Sequence, residues 1–84
     1  MEGRIGGIRM VLPLDQLCTG VWGCVMGIDT TAQLRQRLRD FGLVPGTRVR
    51  RRYASPAGDV IAIELWGSVI ALRKQDVHGI KVRV

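Results

Sequence analysis

The chain has 84 residues, of which 46% are hydrophobic and 24% are charged, and these fractions are typical of one folded domain. They exclude intrinsic disorder, which requires few apolar residues and a high net charge. A domain of this length buries only about 60–65% of its unfolded surface, so it has little room for a deep cleft beside its core. The size therefore favours a binding module over an enzyme.

The net charge of +6 comes almost entirely from arginine, with eleven Arg against two Lys. A basic surface attracts phosphates, anionic lipid headgroups or acidic protein surfaces. The planar guanidinium suits paired contacts with carboxylates and phosphates, although high-GC codon usage produces the same bias without any function. Runs of charge are most often a solvated face, so the charge alone leaves the partner open.

The start of the chain is predicted to be a flexible tail at residues 1–9, followed by one domain at residues 10–84. The tail holds three glycines and two arginines with few apolar anchors. No secretory signal is recognisable, and every apolar run is far shorter than the roughly 18 residues that cross a bilayer. These features predict a cytoplasmic protein.

Two strands are predicted next. The first is a short extended piece within residues 10–17, where Pro13 is suited to an edge strand. The second, residues 21–28, has apolar residues in both phases, which predicts burial on both faces. Its two glycines, Gly23 and Gly27, indicate a bend or a bulge.

Residues 29–42 give the clearest helix. Thr30 is a plausible N-cap, and Gln33 three residues later completes a capping box. One apolar stripe is expected to pack on the sheet, and it consists of Leu34, Leu38 and Phe41. The opposite, solvated side carries Arg35, Arg37, Arg39 and Asp40.

The segment at residues 42–47, which we call the joint, is predicted to end this helix and reverse the chain. Gly42 is placed where a helix commonly ends with a left-handed residue, and Leu43 can fold back onto the last turn. Pro45 and Gly46 are expected at the two central positions of a type II turn. Every residue of the joint thus has a conformational role.

Five further elements follow the joint: strands near residues 47–54, 60–66 and 68–73, one helical turn near residues 73–79, and a final strand at residues 80–84. Arg51 falls in the apolar phase of its strand, which predicts either a bulge or an exposed rim position. Gly67 and Ser68 are expected to form a tight hairpin turn. Five or six short strands with one inserted helix predict a mainly β fold, a small barrel closed so that no sheet edge is exposed.

Neither catalytic nor metal chemistry is indicated. Cys18 and Cys24 are spaced unlike a zinc-binding pair and are expected to be small core residues, and His78 is expected at the surface. The acidic residues are scattered, and no phosphate-binding glycine loop is present. We therefore predict no enzyme, no metal site, no cofactor and no small-molecule substrate.

Three motifs together resemble the FeoA family. The first is Leu14, Leu17 and Gly20; the second is Arg37, Leu38, Phe41, Gly42, Leu43, Pro45, Gly46 and Thr47; the third is Gly67, Ala71, Leu72, Arg73, Ile80 and Val82. The resemblance covers nearly everything from about residue 12 onwards. It implies an SH3-like barrel in which the joint, Leu72 and Arg73 are structural motif residues. The chain departs from the family pattern in its more basic run at residues 50–52 and in Trp66 before the hairpin glycine.

The resemblance also implies a small cytosolic accessory protein of bacterial ferrous iron uptake, without catalytic residues, whose partner is the membrane iron transporter FeoB. The same barrel is the regulatory domain of some iron-dependent repressors, which gives a second interpretation. A third, direct binding of nucleic acid, is supported by the basic charge and opposed by the scarcity of aromatic stacking groups. Homo-oligomers are also compatible with the sequence.

For docking on a partner, we predict one merged basic surface. It combines two arginines of the helix with two of the following strand and an aromatic anchor, in the order Arg35, Arg39, Arg50, Arg52 and Trp66. Arginine and tryptophan are the residue types most enriched among interface hot spots.

Overall fold

A computed structural model describes residues 10–84, and the predicted N-terminal tail lies outside these residues. The strands are β1 (Val11–Pro13), β2 (Trp22–Ile28), β3 (Arg48–Ala54), β4 (Val60–Leu65), β5 (Ser68–Arg73) and β6 (Ile80–Arg83). The helices are α1 (Ala32–Asp40) and the single turn α2 (Lys74–Val77), and a 3-10 turn at Leu14–Gln16 follows β1. The predicted order of elements is confirmed.

The strands form one antiparallel sheet in the order β1-β6-β2-β3-β4-β5. Its outer strands, β1 and β5, do not pair with each other within the described residues, so the sheet stays open. The mainly β fold with one inserted helix is therefore confirmed, whereas the expectation that closure would remove all exposed edges is wrong. Bulges interrupt the β2–β6 ladder between Val25 and Gly27 and the β3–β4 ladder between Arg51 and Tyr53.

The core lies on one face of this sheet. Along β4, Ile61, Ile63 and Leu65 alternate onto the core face and are almost fully buried. Each such side chain contributes about 1.5–3 kcal/mol when it is removed from water. The opposite face of the sheet is largely solvated, as an antiparallel sheet permits. The predicted burial of β2 on both faces is therefore wrong, because Trp22 and Met26 are exposed on that outer face.

Helix α1 begins one residue later than predicted. Its N-cap is Thr31, whose hydroxyl accepts a hydrogen bond from the Leu34 N–H at 3.2 Å, so the assignment of Thr30 as the cap is wrong. The error of one position arises because two adjacent threonines are equally good caps by residue type.

The end of α1 follows a Schellman motif. The N–H groups of Gly42 and Leu43 donate to the carbonyls of Arg39 and Leu38, both at 2.9 Å, and Gly42 has a φ of +93°. Leu38 and Leu43 are both fully buried. Phe41 was expected in the core but is 45% exposed. Helix α1 ends at Asp40, so Phe41 does not continue the apolar face formed by Leu34 and Leu38, and Leu43 lies in the core instead.

The rest of the joint matches its prediction. Gly46 has a φ of +96°, and the Thr47 N–H donates to the Val44 carbonyl at 3.0 Å, which closes the turn around Pro45 and Gly46. The buried Thr47 hydroxyl donates to the Gly42 carbonyl at 2.8 Å, so it has a hydrogen-bond partner. The joint thus connects the end of α1 directly to the start of β3.

Candidate partner-binding surface at the joint

The β4–β5 hairpin brings Trp66 against the joint. The turn residues are Trp66 and Gly67, with φ of +52° and +77°, so the prediction of Gly67 and Ser68 is off by one residue. Two positive φ values identify a type I′ turn, in which Asn or Gly is the usual first residue. A bulky residue is a conformational outlier there. Trp66 is 74% exposed.

Trp66 and Gly42 are in direct contact. The indole Nε1 donates to the Gly42 carbonyl at 3.4 Å, the same carbonyl that accepts from the Thr47 hydroxyl. A Cβ added to Gly42 would lie 2.8 Å from Nε1 and 2.9 Å from Cδ1 of Trp66. Gly42 therefore serves twice, because it permits the left-handed end of α1 and leaves space for the indole edge.

Two of the four predicted arginines also border the joint. Arg35 and Arg39 lie one turn apart on α1 and line a cavity of about 200 Å³ together with Ile28, Leu43, Val44 and Pro45. Arg35 Nη2 donates to the Thr30 carbonyl at 3.2 Å, and Arg39 Nη1 donates to the Gln36 side chain at 3.4 Å. No carboxylate within residues 10–84 forms a salt bridge with either guanidinium. We call Arg35, Arg39, Trp66 and this cavity the joint surface.

The other two predicted arginines lie on the outer face of the sheet. Glu64 accepts from Arg50 at 2.6 Å and 3.0 Å and from Arg52 at 2.9 Å. Hydrogen bonds from Arg52 and Arg50 lower the pKa of Glu64 below its ordinary value. Arg50 also lies 4.9 Å from the centroid of the Trp22 ring. Glu64 thus offsets much of this positive charge.

These two pairs of arginines do not form the single merged patch that the sequence predicts. Arg50 pairs with Trp22 at the start of β2, whereas Arg35 and Arg39 border Ile28 at its end. Trp22 and Ile28 are six residues apart, and six residues of strand span roughly 20 Å, so the two pairs lie near opposite ends of β2. In the described part of the chain, no hydrogen bond links one pair to the other.

Arg51 has a structural role. It sits at the bulge of β3, and its Nη1 donates to the carbonyls of Asp15 at 3.2 Å and Leu17 at 3.1 Å. The bulge, one of the two alternatives left open by the sequence, is therefore correct. The guanidinium holds the 3-10 turn segment against β3, so the basic run at residues 50–52 contains one arginine that binds backbone.

Several residues differ from their predicted surroundings. Cys18 is exposed and Cys24 is half-buried, and neither belongs to the hydrophobic core, so the expectation that both are core residues is wrong. His78 is exposed as expected, but its Nδ1 lies 3.3 Å from Asp15 Oδ1. That contact joins residues 63 positions apart, and no local pattern predicts it.

The two remaining motif residues lie at the end of β5, where Leu72 is buried and Arg73 is exposed. Within residues 10–84 no group of three or more His, Cys, Asp or Glu side chains is arranged to hold a metal ion. In the same part of the chain, no helix has the length and apolar character required to span a membrane.

Known proteins resemble the chain over nearly all of the described residues. The family model described as FeoA domain matches residues 12–84. The FeoA-like protein from Clostridium acetobutylicum, solved by NMR, is 30% identical over 86% of this chain and 84% of its own, with a TM-score of 0.78. Stenotrophomonas maltophilia FeoA, solved in complex with zinc and described as a procaryotic SH3 domain protein, is 23% identical over 87% of this chain and 95% of its own, with a TM-score of 0.74. No curated protein matches significantly.

A more distant structural similarity is to a transcriptional repressor. A manganese-dependent transcriptional repressor has a TM-score of 0.80 at 17% identity, over 88% of this chain but only 41% of its own. At that identity the match shows a shared fold alone. Together with the Stenotrophomonas structure, it confirms the predicted SH3-like fold class.

Proposed function

Because the chain belongs to the FeoA family, we propose that it is a cytosolic accessory protein of bacterial ferrous iron uptake that docks on the cytosolic part of a FeoB-type membrane transporter. The Stenotrophomonas relative is described as a candidate ferrous iron transport activating factor, which supports this role. The chain acts by binding, not by catalysis. Its contacts are made by the joint surface.

The observation that carries this assignment is the conformation of Trp66. A non-glycine residue with positive φ costs of order 1–3 kcal/mol, and such strained residues cluster at functional sites. The strained residue here is Trp66, which is 74% exposed in its hairpin turn. Tryptophan and arginine are among the residue types most enriched at interface hot spots, and Trp66 and the cavity with Arg35 and Arg39 both border the joint.

Arg35 and Arg39 supply the charged part of the same surface. Neither forms a salt bridge within residues 10–84, so both can pair with acidic groups of a partner without breaking a salt bridge among these residues. That Arg50 and Arg52 also contact the partner remains a prediction. We expect a smaller contribution from them, because a partner would have to compete with Glu64 for their guanidinium groups.

Co-purification with the transporter tests the proposal. We expect Trp66→Ala, and charge reversal by Arg35→Glu with Arg39→Glu, to reduce recovery at least several-fold. Arg37→Glu is the matched control, because Arg37 is exposed on the same helix but does not line the cavity. Each variant is first checked for a cooperative thermal melt. Wild-type recovery of all folded variants would refute the joint surface as the docking site.

Direct binding of nucleic acid is the second candidate, and one observation favours it. Arg48 and Arg50 lie 5.3 Å and 4.9 Å from the ring centroid of Trp22 on the outer face of the sheet. Such a basic and aromatic surface is typical of single-strand binders. Phosphate binding weakens steeply with added salt. If the wild type fails to recover the transporter but retains single-stranded DNA in a salt-sensitive manner, this second function replaces the first.

A further inference from the structure

The cavity of the joint surface combines an apolar lining with two cationic groups. Ile28, Val44 and Pro45 provide the accessible apolar part, with Leu43 fully buried behind them, and Arg35 and Arg39 provide the charge. Its volume of about 200 Å³ is below the roughly 300–1,000 Å³ of sites that enclose a drug-sized ligand. The space is sufficient for one aliphatic side chain.

The charge of the cavity favours an anion as its ligand. Side chains four positions apart on a helix are neighbours, and two like charges at that spacing destabilise it slightly. Arg35 and Arg39 nevertheless stand together, and no described carboxylate pairs with either of them. Each known hydrogen bond uses one of the five N–H donors of its guanidinium. The remaining donors can hold a carboxylate, a planar anion that guanidinium binds through two parallel hydrogen bonds.

The small size of the cavity limits how far apart the carboxylate and the aliphatic side chain of a ligand can be. In an extended peptide, neighbouring side chains point to opposite sides, so an acidic side chain and an aliphatic one on the same side are about 6.6 Å apart along the chain. A C-terminal residue instead carries its side chain and its carboxylate on the same Cα. That arrangement is the more compact one and places both groups at one small cavity.

We propose that this cavity binds the C-terminal residue of a partner polypeptide, with an aliphatic side chain in the apolar part and the terminal carboxylate on Arg35 and Arg39. The inference deepens the proposed docking function and rests on it for the identity of the partner. The binding itself is a property of this chain alone and can be measured without the transporter.

N-acetyl-leucine is the simplest probe, since it carries a leucine side chain and a free carboxylate. In a titration of ¹⁵N-labelled protein followed by NMR, we expect binding in the millimolar range, as is usual for so small a ligand. The largest shifts should occur at the backbone amides of Ile28, Leu43 and Val44. N-acetyl-leucinamide, which lacks only the charge, and acetate, which lacks the side chain, should each bind at least about ten-fold more weakly.

Variants of the two arginines test which side chains bind the carboxylate of the probe. Arg35→Gln and Arg39→Gln should each weaken N-acetyl-leucine roughly five- to ten-fold, while the control Arg37→Gln leaves its affinity unchanged. The same spectra report whether each variant is folded. Equal binding of the acid and its amide, or shifts that map elsewhere, would overturn the proposal. Equal binding of the amidated dipeptide N-acetyl-Asp-Leu-amide would overturn the terminal carboxylate as the anion.

The titration and the co-purification fail independently. Binding of N-acetyl-leucine without recovery of the transporter would retain the cavity and reject the proposed partner. Recovery of the transporter without binding of the probe would retain the partner and reject the cavity as a carboxylate site.

Discussion

Replacing Gly42 by alanine tests the double role of this residue in the joint. The backbone there has a φ of +93°, a region where an L-residue costs about 1–2 kcal/mol relative to its right-handed conformation. The new Cβ would also lie 2.8 Å from Trp66 Nε1. This steric clash can be relieved at little cost, because Trp66 is exposed and its indole can rotate into solvent. We therefore expect a loss of about 1–2 kcal/mol, most of it from the backbone.

Urea denaturation followed by far-UV circular dichroism measures this loss. For a domain of this size, each kcal/mol also lowers the melting temperature by roughly 4–8 °C. Gly27→Ala is the matched control, since Gly27 has no positive φ and no atom lies within 4 Å of the position that its new Cβ would take. We expect the control to change the free energy of unfolding by less than about 0.5 kcal/mol.

A double-mutant cycle separates the two effects. If the indole moves away freely, Gly42→Ala should cost the same in a Trp66→Ala background, within about 0.5 kcal/mol. The displaced indole should nevertheless reduce recovery of the transporter. A loss below about 0.5 kcal/mol for Gly42→Ala would refute the left-handed end of the helix. A loss that disappears without Trp66 would show that steric contact, not the backbone, sets the cost.

Three further substitutions test other parts of the fold. Gly79→Ala should cost at least roughly 2 kcal/mol in urea denaturation, because its Cβ would collide with the backbone carbonyl of Asp29; a smaller loss than that of Gly42→Ala would contradict this. Glu64 has a lowered pKa in the folded state, so its stabilising effect is present above the ordinary value of 4.5 and is lost as the pH falls through the folded-state pKa. The melting temperature of Glu64→Gln should accordingly lie below that of the wild type at pH 7 and approach it under acid; a difference independent of pH would refute the pairing. Trp66→Asn restores the preferred type I′ turn residue, so it should leave the melting temperature unchanged or raise it while docking is lost; a fall of several degrees would show that the indole stabilises the fold.

Local sequence predicted the elements well because their signals are short-range. The Schellman motif needs only Gly42 and the leucines on either side of it, and the turn at Pro45 and Gly46 needs only its own two residues. Errors of one position occurred where a neighbouring residue was an equal or better candidate by residue type. Thr30 and Thr31 are equivalent caps by residue type. The hairpin turn was predicted one residue too late, because tryptophan is rarely found at positive φ.

Long-range contacts were the part that the sequence could not supply. Arg50, Arg51 and Arg52 form one basic run in the sequence, yet two of them pair with Glu64 and the third binds backbone carbonyls more than 30 residues away. Alternation along β3 correctly placed Arg50 on the solvated face. It could not identify the acidic side chain on the neighbouring strand, because the strand register is set by the whole sheet.

The same geometry gives the two halves of the predicted basic surface different surroundings. A hairpin folds Arg50 and Arg52 onto Glu64, whereas α1 leaves Arg35 and Arg39 without a described acidic partner. The joint then adds an apolar cavity beside those two arginines and an exposed indole on Gly42. Because the Gly42 carbonyl accepts from both Thr47 and Trp66, the residue that ends the helix also positions the aromatic anchor. Most changes at the joint must therefore affect stability and binding together, and Trp66 is where the two can be separated, since its conformation opposes folding while its exposed side chain is free to bind.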